Sequence, residues 1–318
     1  MKTFHRQRAV GLDISSGVVR VLVLEGRADK ARITATGRAP IAAGADGVAS
    51  AQAIHAALAA ARADGEAVVA AIGGPEVVVR QLTLPPVPAD RVLQALELQH
   101  KDFGLLPPSE AHLDAQILKR SDTECLVLAV SAPKPLVQSR LRLLEQAGVK
   151  LRNLDVEALA LLNAVIHLSQ FDPRELLVVL DLAKDRTVLS LLSQKGPVVV
   201  RYLDVGAAAI VESAGDTDSG PAADASRDAL RRIAEAIRLS LAFYRSEYDR
   251  ESLPRYLLSG CQHVRRLNRW LTEELRLDSP FEVMDPFRTV RTTAAPGRAE
   301  ISEGSEFVQA FGLALRAL

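Results

Sequence analysis

The chain has 318 residues, 48% of them hydrophobic and 25% charged, enough for two cores of ordinary domain size and far from a disordered composition. Its 39 basic and 39 acidic residues cancel, which removes the electrostatic case for nucleic acid, and two cysteines offer no disulfide framework and suit a reducing compartment. No apolar run reaches the roughly 18–20 residues of a membrane span, and the basic start is followed by an apolar stretch broken at Asp13, a poor signal peptide.

Residues 9–13, 18–25 and 32–41 read as three strands of a meander, with Glu25-Gly26 as one of the turns. An Ala-rich helix over 50–63 and a strand over 68–72, ending at Gly73-Gly74, complete a βββαβ block with a mixed sheet. The stretch 77–148 differs in character. It opens with a strand over 77–84, stopped by Pro85-Pro86-Val87-Pro88, and a helix capped by Asp90 and running to about Phe103. Strands over 112–118 and 125–131 follow, then a helix over 135–147 with Gly148 in the stop position. Asp155 is expected to cap a buried apolar helix through 168. A second βββ meander spans 176–205. Residues 212–226 read as a polar loop, and 228–247 as a helix with Leu230, Ile233, Ile237, Leu241 and Tyr244 on one face. A strand into Ser259-Gly260, an amphipathic helix over 263–275, a polar loop over 292–303 and an apolar helix over 307–318 close the chain.

The most informative feature is a duplication. Val10-Gly11-Leu12-Asp13-Ile14-Ser15-Ser16-Gly17 leads into an apolar strand, and Val178-Val179-Leu180-Asp181-Leu182-Ala183-Lys184-Asp185-Arg186-Thr187 does the same. Each is a buried strand ending in an acid, a turn of small and polar residues, and a second strand. Such a tip aims backbone N–H groups at a phosphate while the carboxylate holds a metal ion or its water. Ser15, Ser16, Gly17, Lys184 and Thr187 are the candidate phosphate donors, and Asp13 and Asp181 the candidates for Mg2+ held through water. Each residue also has an ordinary reading: Asp after a strand as a turn residue, Ser16-Gly17 as hairpin turn, Lys184 and Arg186 as solvated charges. Cys125 and Cys261 read as core, the six histidines show no ligand spacing, and no Walker-type loop is present. Arginines on the 228–247 and 263–275 helices read as charged outer faces, with contact to anionic lipid as the lesser alternative.

The two hairpins resemble the first and second phosphate loops of the actin, sugar-kinase and chaperone ATPase superfamily. Leu257-Leu258-Ser259-Gly260 is similar to its adenosine loop, which adds Gly260 to the binding set, and the helices near 155 and 307 are similar to the pair connecting its halves. Closer still is the PilM family of type IV pilus assembly proteins, an actin-like group related to the division protein FtsA. Residues 10–20 resemble its opening motif, and residues 96–116, with Gly104-Leu105-Leu106-Pro107, resemble its inserted subdomain. Asp155-Val156-Glu157-Ala158, Arg201-Tyr202-Leu203-Asp204-Val205-Gly206, Ser240-Leu241-Ala242-Phe243-Tyr244 and Phe311-Gly312-Leu313-Ala314-Leu315 continue the resemblance along nearly the whole chain.

The resemblance implies an α/β fold of duplicated actin-like (ribonuclease H-like) domains with a mixed sheet in each half and a small α+β insertion. The implied boundaries are 1–76 for the first half of domain 1, 77–150 for the insertion, 151–172 for a connecting helix, 173–304 for domain 2 and 305–318 for a helix closing on domain 1. It also implies a cytoplasmic scaffold, peripheral at the inner membrane through its partners. Those partners are the N-terminal tail of a PilN-like bitopic membrane protein, lying extended between the first block and the insertion, and other pilus platform components. ATP and Mg2+ are the implied ligands. Ser15, Ala183 and the pair Gly260-Cys261 stand where the family carries glycines, so a structural ligand or switch is expected rather than turnover. The alternative is an ATPase or small-molecule kinase, which needs a general base for which no second acidic motif is assignable. A type II secretion relative would need a membrane span beyond this sequence, and an FtsA-like role a C-terminal amphipathic anchor.

Overall fold

Strand β1 (Arg8–Ser15) turns back into β2 (Val18–Glu25), whose residues 18–24 are all buried, and β3 (Arg32–Pro40) completes the meander. The computed structural model describes residues 7–15, 17–172, 174–211, 224–261, 263–292 and 304–318. Helix α1 (Gly47–Ala60), capped by the Asp46 carboxylate on the Ala49 amide, crosses over to β4 (Ala67–Ile72), parallel to β1.

The chain then leaves the sheet for β5 (Val78–Leu84), α2 (Val92–Leu98), β6 (Ala111–Arg120) and β7 (Cys125–Pro133), a three-stranded sheet in the order β5-β7-β6. It returns through α3 (Lys134–Gln146) to β8 (Lys150–Val156), which pairs parallel with β4. Leu144 of α3 is buried against the first sheet, so this helix serves that sheet as a crossover. The second half repeats the order: β9 (Glu175–Leu182), β10 (Thr187–Leu192) and β11 (Val199–Leu203) form a meander. Helices α5 (Ala207–Val211) and α6 (Asp224–Glu247) precede β12 (Leu253–Ser259), and α7 (Val264–Leu275) leads to β13 (Glu282–Val283) and the short α8 (Pro286–Thr289). The two sheets, β3-β2-β1-β4-β8 and β11-β10-β9-β12-β13, have the same strand order. That is the duplication expected from the two hairpins.

Strand alternation explains the layers. Val10, Leu12, Val19, Val21 and Val23 face α1, while Ala9, Leu22 and Leu24 face a central layer of α4 (Glu157–Leu168) and α9 (Val308–Leu315). Leu177, Val179 and Leu257 reach the same layer from the second sheet, whose opposite face packs on α6 and α7 through Leu176, Val178 and Leu180. The predicted α6 stripe is buried at Leu230, Ile233, Ile237 and Tyr244 and half-buried at Leu241.

Several local expectations are corrected. Asp90 does not cap a long helix: a 3-10 turn (Ala89–Arg91) precedes α2, which stops at Leu98 instead of Phe103, and no side chain caps either element. Asp155 caps nothing either; it lies in β8, and Val156 occupies the cap position of α4. The first turn of α6, Asp224 to Ser226, is helix where loop was expected, while residues 212–223 and 293–303 of the two expected polar loops lie outside the described residues. The closing helix begins as a 3-10 turn (Gly304–Phe307) and is α-helical only over α9.

Candidate functional site

The two hairpin tips meet. Gly17 sits at φ +80°, where a Cβ would be strained and would come within 3.3 Å of Lys184 Cδ, so the first tip lies against the second. Between them, and bounded by Gly260 at φ +109°, is a cavity of about 230 Å³ lined by Gly17, Arg20, Arg38, Lys184, Gly260 and Glu306 among others. A Cβ on Gly260 would stand 2.6 Å from the Leu182 backbone nitrogen and 2.8 Å from Asp181 Oδ1, which explains the glycine that follows β12. Of the predicted set, Gly17, Lys184 and Gly260 line this cleft, while Asp13 and Ser15 stand behind it on Arg20 and Asp181 stands behind Gly260. Ser16 lies outside the described residues. Thr187 is corrected: it is fully buried and its hydroxyl donates to the Val205 carbonyl at 2.6 Å, so it holds the hairpin together and offers no donor to a ligand.

Asp13 and Asp181 are both buried, at 3% and 6% exposure, but their surroundings differ. Asp181 accepts the Ser259 hydroxyl at 2.7 Å. Asp13 Oδ2 accepts Arg20 Nη1 at 3.1 Å, and the same Nη1 donates to Ser15 Oγ at 2.7 Å. Arg20 Nε donates to Glu306 at 3.1 Å, and Arg38 Nε reaches the same oxygen at 3.4 Å. Burial pushes the carboxyls of Asp13 and Asp181 above the usual range; Arg20 opposes this at Asp13, the Ser259 bond opposes it at Asp181, and the Asp13 charge raises Asp181 further. Asp13 Oδ1 is buried with no hydrogen-bond partner among the described residues.

Those features decide what fits. Cations at Lys184 and Arg38 with a backbone tip at Gly17 suit phosphate oxygens, and the unpartnered Oδ1 of Asp13, buried behind Arg20, has the acceptor chemistry that a metal-bound water would satisfy. The phosphate end of a nucleotide therefore fits.

A second concavity, about 530 Å³, lies between the β6–β7 face and the β8–α4 junction. Ile72, Leu128, Val130, Val137 and Leu159 supply its apolar surface, Asp114, Asp155 and Arg316 its charges. Both β6 and β8 are edge strands of their sheets, so each presents one unpaired backbone edge.

Residues 11–217, more than half of the chain, match the family of the type IV pilus assembly protein PilM. The chain belongs to the PilM family. A solved PilM–PilN type IV pilus biogenesis complex resembles it over 97% of this chain and 98% of the other, at 26% identity and a TM-score of 0.80. The ethanolamine utilization protein EutJ of Carboxydothermus hydrogenoformans (13% identity, 97% and 89% covered, TM-score 0.50) shares the fold. So does a diol dehydratase-reactivating factor in nucleotide-free form (10% identity, 98% and 99% covered, TM-score 0.51). No curated protein matches by sequence. The fold of this PilM-family chain is accordingly actin-like, as its resemblance implied.

Sequence reasoning missed the charged framework of the cleft. Arg20 and Glu306 have no local motif, yet an arginine inside the apolar run of β2 was a visible anomaly, because a charge in a doubly covered strand must find a buried partner. Glu157, at the start of α4, is likewise buried and paired through both carboxylate oxygens with Arg186 on the second hairpin. Burial pushes its carboxyl up and Arg186 pulls it back. Arg140 on α3 reaches the Ile14 carbonyl at 3.4 Å beside them. Replacing Arg186 by alanine would strand a nearly buried carboxylate, and a loss of about 3 kcal/mol is expected in denaturant unfolding, against under 1 for Glu157→Gln. Equal, small losses in both variants would show that this pair does not support the fold.

Proposed function

We propose that this chain is a cytoplasmic scaffold of a type IV pilus assembly platform. It is held at the inner membrane by binding the N-terminal tail of a PilN-like bitopic protein, with ATP and Mg2+ as a structural ligand. The observation that carries the reading is the full-length likeness to a protein solved in complex with PilN, at 26% identity and a TM-score of 0.80. The groove between β6 and β8 suits the tail: five consecutive β6 residues, 112–116, line it, and so do three consecutive β8 residues, 154–156. Side chains of a strand alternate between faces, so runs of consecutive lining residues place the strand edges in the groove. An extended tail would pair its backbone with such an edge and set side chains into the apolar wall. Among the described residues no helix is long and apolar enough to cross a membrane.

The cleft supports ligand binding over turnover. Bound Mg2+ would neutralise phosphate charge; Lys184 and Arg38 would hold the phosphates, and Asp13 would receive metal-bound water at its unpartnered Oδ1. Glu157, the buried acid at the start of α4, is tied to Arg186.

Calorimetric titration of the pure protein with the tail peptide, and separately with Mg2+ and ATP, tests both parts. The peptide is expected to bind with micromolar affinity, about −8 kcal/mol. ATP should bind in wild type, bind at least tenfold more weakly in Lys184→Ala, and release no phosphate over hours. A chain that ignores the peptide under all nucleotide conditions is not this scaffold, and phosphate release lost in Asp13→Ala would make it an enzyme.

A further inference from the structure

The groove carries one group that an apolar tail would leave unsatisfied. Asp155 projects from β8 with a side chain only 11% exposed. Its Oδ1 accepts the Val156 amide at 2.8 Å, and its Oδ2 is buried with no hydrogen-bond partner among the described residues. The nearest cation, Arg316 Nε, stands 3.6 Å away on a side chain that is 49% exposed, a contact beyond hydrogen-bond reach and half in water. Asp114, on β6 across the groove, adds a second negative charge that raises Asp155 further, beyond the dominant effect of burial. Two carboxylates against one loosely held arginine give the groove an acidic floor within apolar walls.

We infer that the groove selects a tail segment bearing an arginine or lysine, and that Asp155 is the specificity residue that receives it in place of Arg316. This rests on the groove being the seat of the tail. A buried acceptor without a donor is costly, and a cation arriving with the tail satisfies it by a charge-assisted bond inside a site that excludes water. The strand edges bind any extended backbone, and therefore Asp155 supplies what backbone pairing lacks, a preference for one residue and one register. Arg316 is the resident competitor: it holds the carboxylate when the groove is empty and swings to solvent when the tail enters.

The probes are the synthetic N-terminal tail of the PilN-like partner and the same peptide with every arginine and lysine changed to glutamine. They are titrated against the full chain as wild type, Asp155→Asn and Arg316→Gln. Asparagine keeps an oxygen for the Val156 amide, so Asp155→Asn should fold. The native peptide is expected to lose at least tenfold in affinity on Asp155→Asn, the glutamine peptide less than twofold, and Arg316→Gln should bind the native peptide as tightly as wild type or more so. Equal losses for both peptides, or none for either, overturn the inference and leave the scaffold reading standing. Failure of the native peptide to bind wild type overturns the seat itself. If Asp155→Asn does not fold, the two peptides on wild type decide: equal affinities at low salt overturn the inference, and a tenfold gap that closes as salt rises supports it.

Discussion

Arg20→Met is expected to lose about 3–5 kcal/mol of stability, as measured by urea unfolding at pH 7.5. The Arg20 side chain is 8% exposed, and its two partners, Asp13 and Glu306, are 3% and 2% exposed. Methionine fills a similar length but offers no donor, so Asp13 would retain only the long contact from the Ser15 hydroxyl at 3.5 Å. Glu306 would lose the buried Arg20 and keep Arg38, at the cleft margin with a side chain 41% exposed, among its partners. The Asp13 carboxylate, buried without Arg20, cannot stay charged cheaply. The deficit should therefore depend on pH, and its sign follows from linkage. Burial already holds the Asp13 carboxyl above its usual range, and without Arg20 it would rise further. An acid whose native value lies above its unfolded value binds its proton more readily in the native state. Stability thus rises as pH falls through that raised value toward the ordinary carboxylate range. Between pH 7.5 and about 5, the gap between variant and wild type should narrow. A deficit under about 1 kcal/mol, or one unchanged across that window, would mean that the Arg20 network is not what closes the first hairpin on the C-terminal segment.

That network also marks the boundary of what was readable in the chain. The duplicated meanders were legible because their strands are covered on both faces and so appear as apolar runs, Val18 to Leu24 with Arg20 as its one interruption and Leu176 to Leu180 without any. Strand β8 was not, because it is an edge. Lys150, Arg152 and Asn153 face water, the apolar alternation reduces to Leu151, Leu154 and Val156, and the Asp155 that follows mimics a helix cap. The cost of that miss was functional, since β8 forms one wall of the groove. Within the cleft, Asp13 and Asp181 stood out by their place at the ends of apolar strands, whereas their partners did not. Glu306 lies 286 positions from Arg20, and nothing short of the fold brings them together. Thr187 failed for a different reason: in a turn its hydroxyl had two plausible directions, and the buried Val205 carbonyl claimed it.

Gly312→Val should abolish folding at 37 °C, and Gly312→Ala should lose at least 3 kcal/mol, toward or beyond the upper end of ordinary overpacking. Helix α9 lies in the central layer between the two sheets, and on one side it meets α4 with backbone against backbone. A Cβ placed on Gly312 would overlap the carbonyl oxygen of Ala160 in α4. A side chain at that position cannot escape by changing rotamer, because the obstacle is main chain. The helices would have to separate, and the buried cluster of Leu161, Val165, Phe307, Phe311 and Leu313 would open with them. On its other side α9 meets β1 in the same way, where a Cβ on Gly11 would overlap the Ala310 carbonyl oxygen, so the helix cannot back away toward the first sheet. Helix propensity points the other way: alanine is the better helix former by roughly 0.5–1 kcal/mol, so a purely local view predicts that Gly312→Ala stabilises. The two views differ in sign, and one thermal melt separates them. A Gly312→Ala protein that melts at or above the wild-type temperature would show that α4 and α9 are not in backbone contact, and the placement of the central layer between the sheets would have to be redrawn.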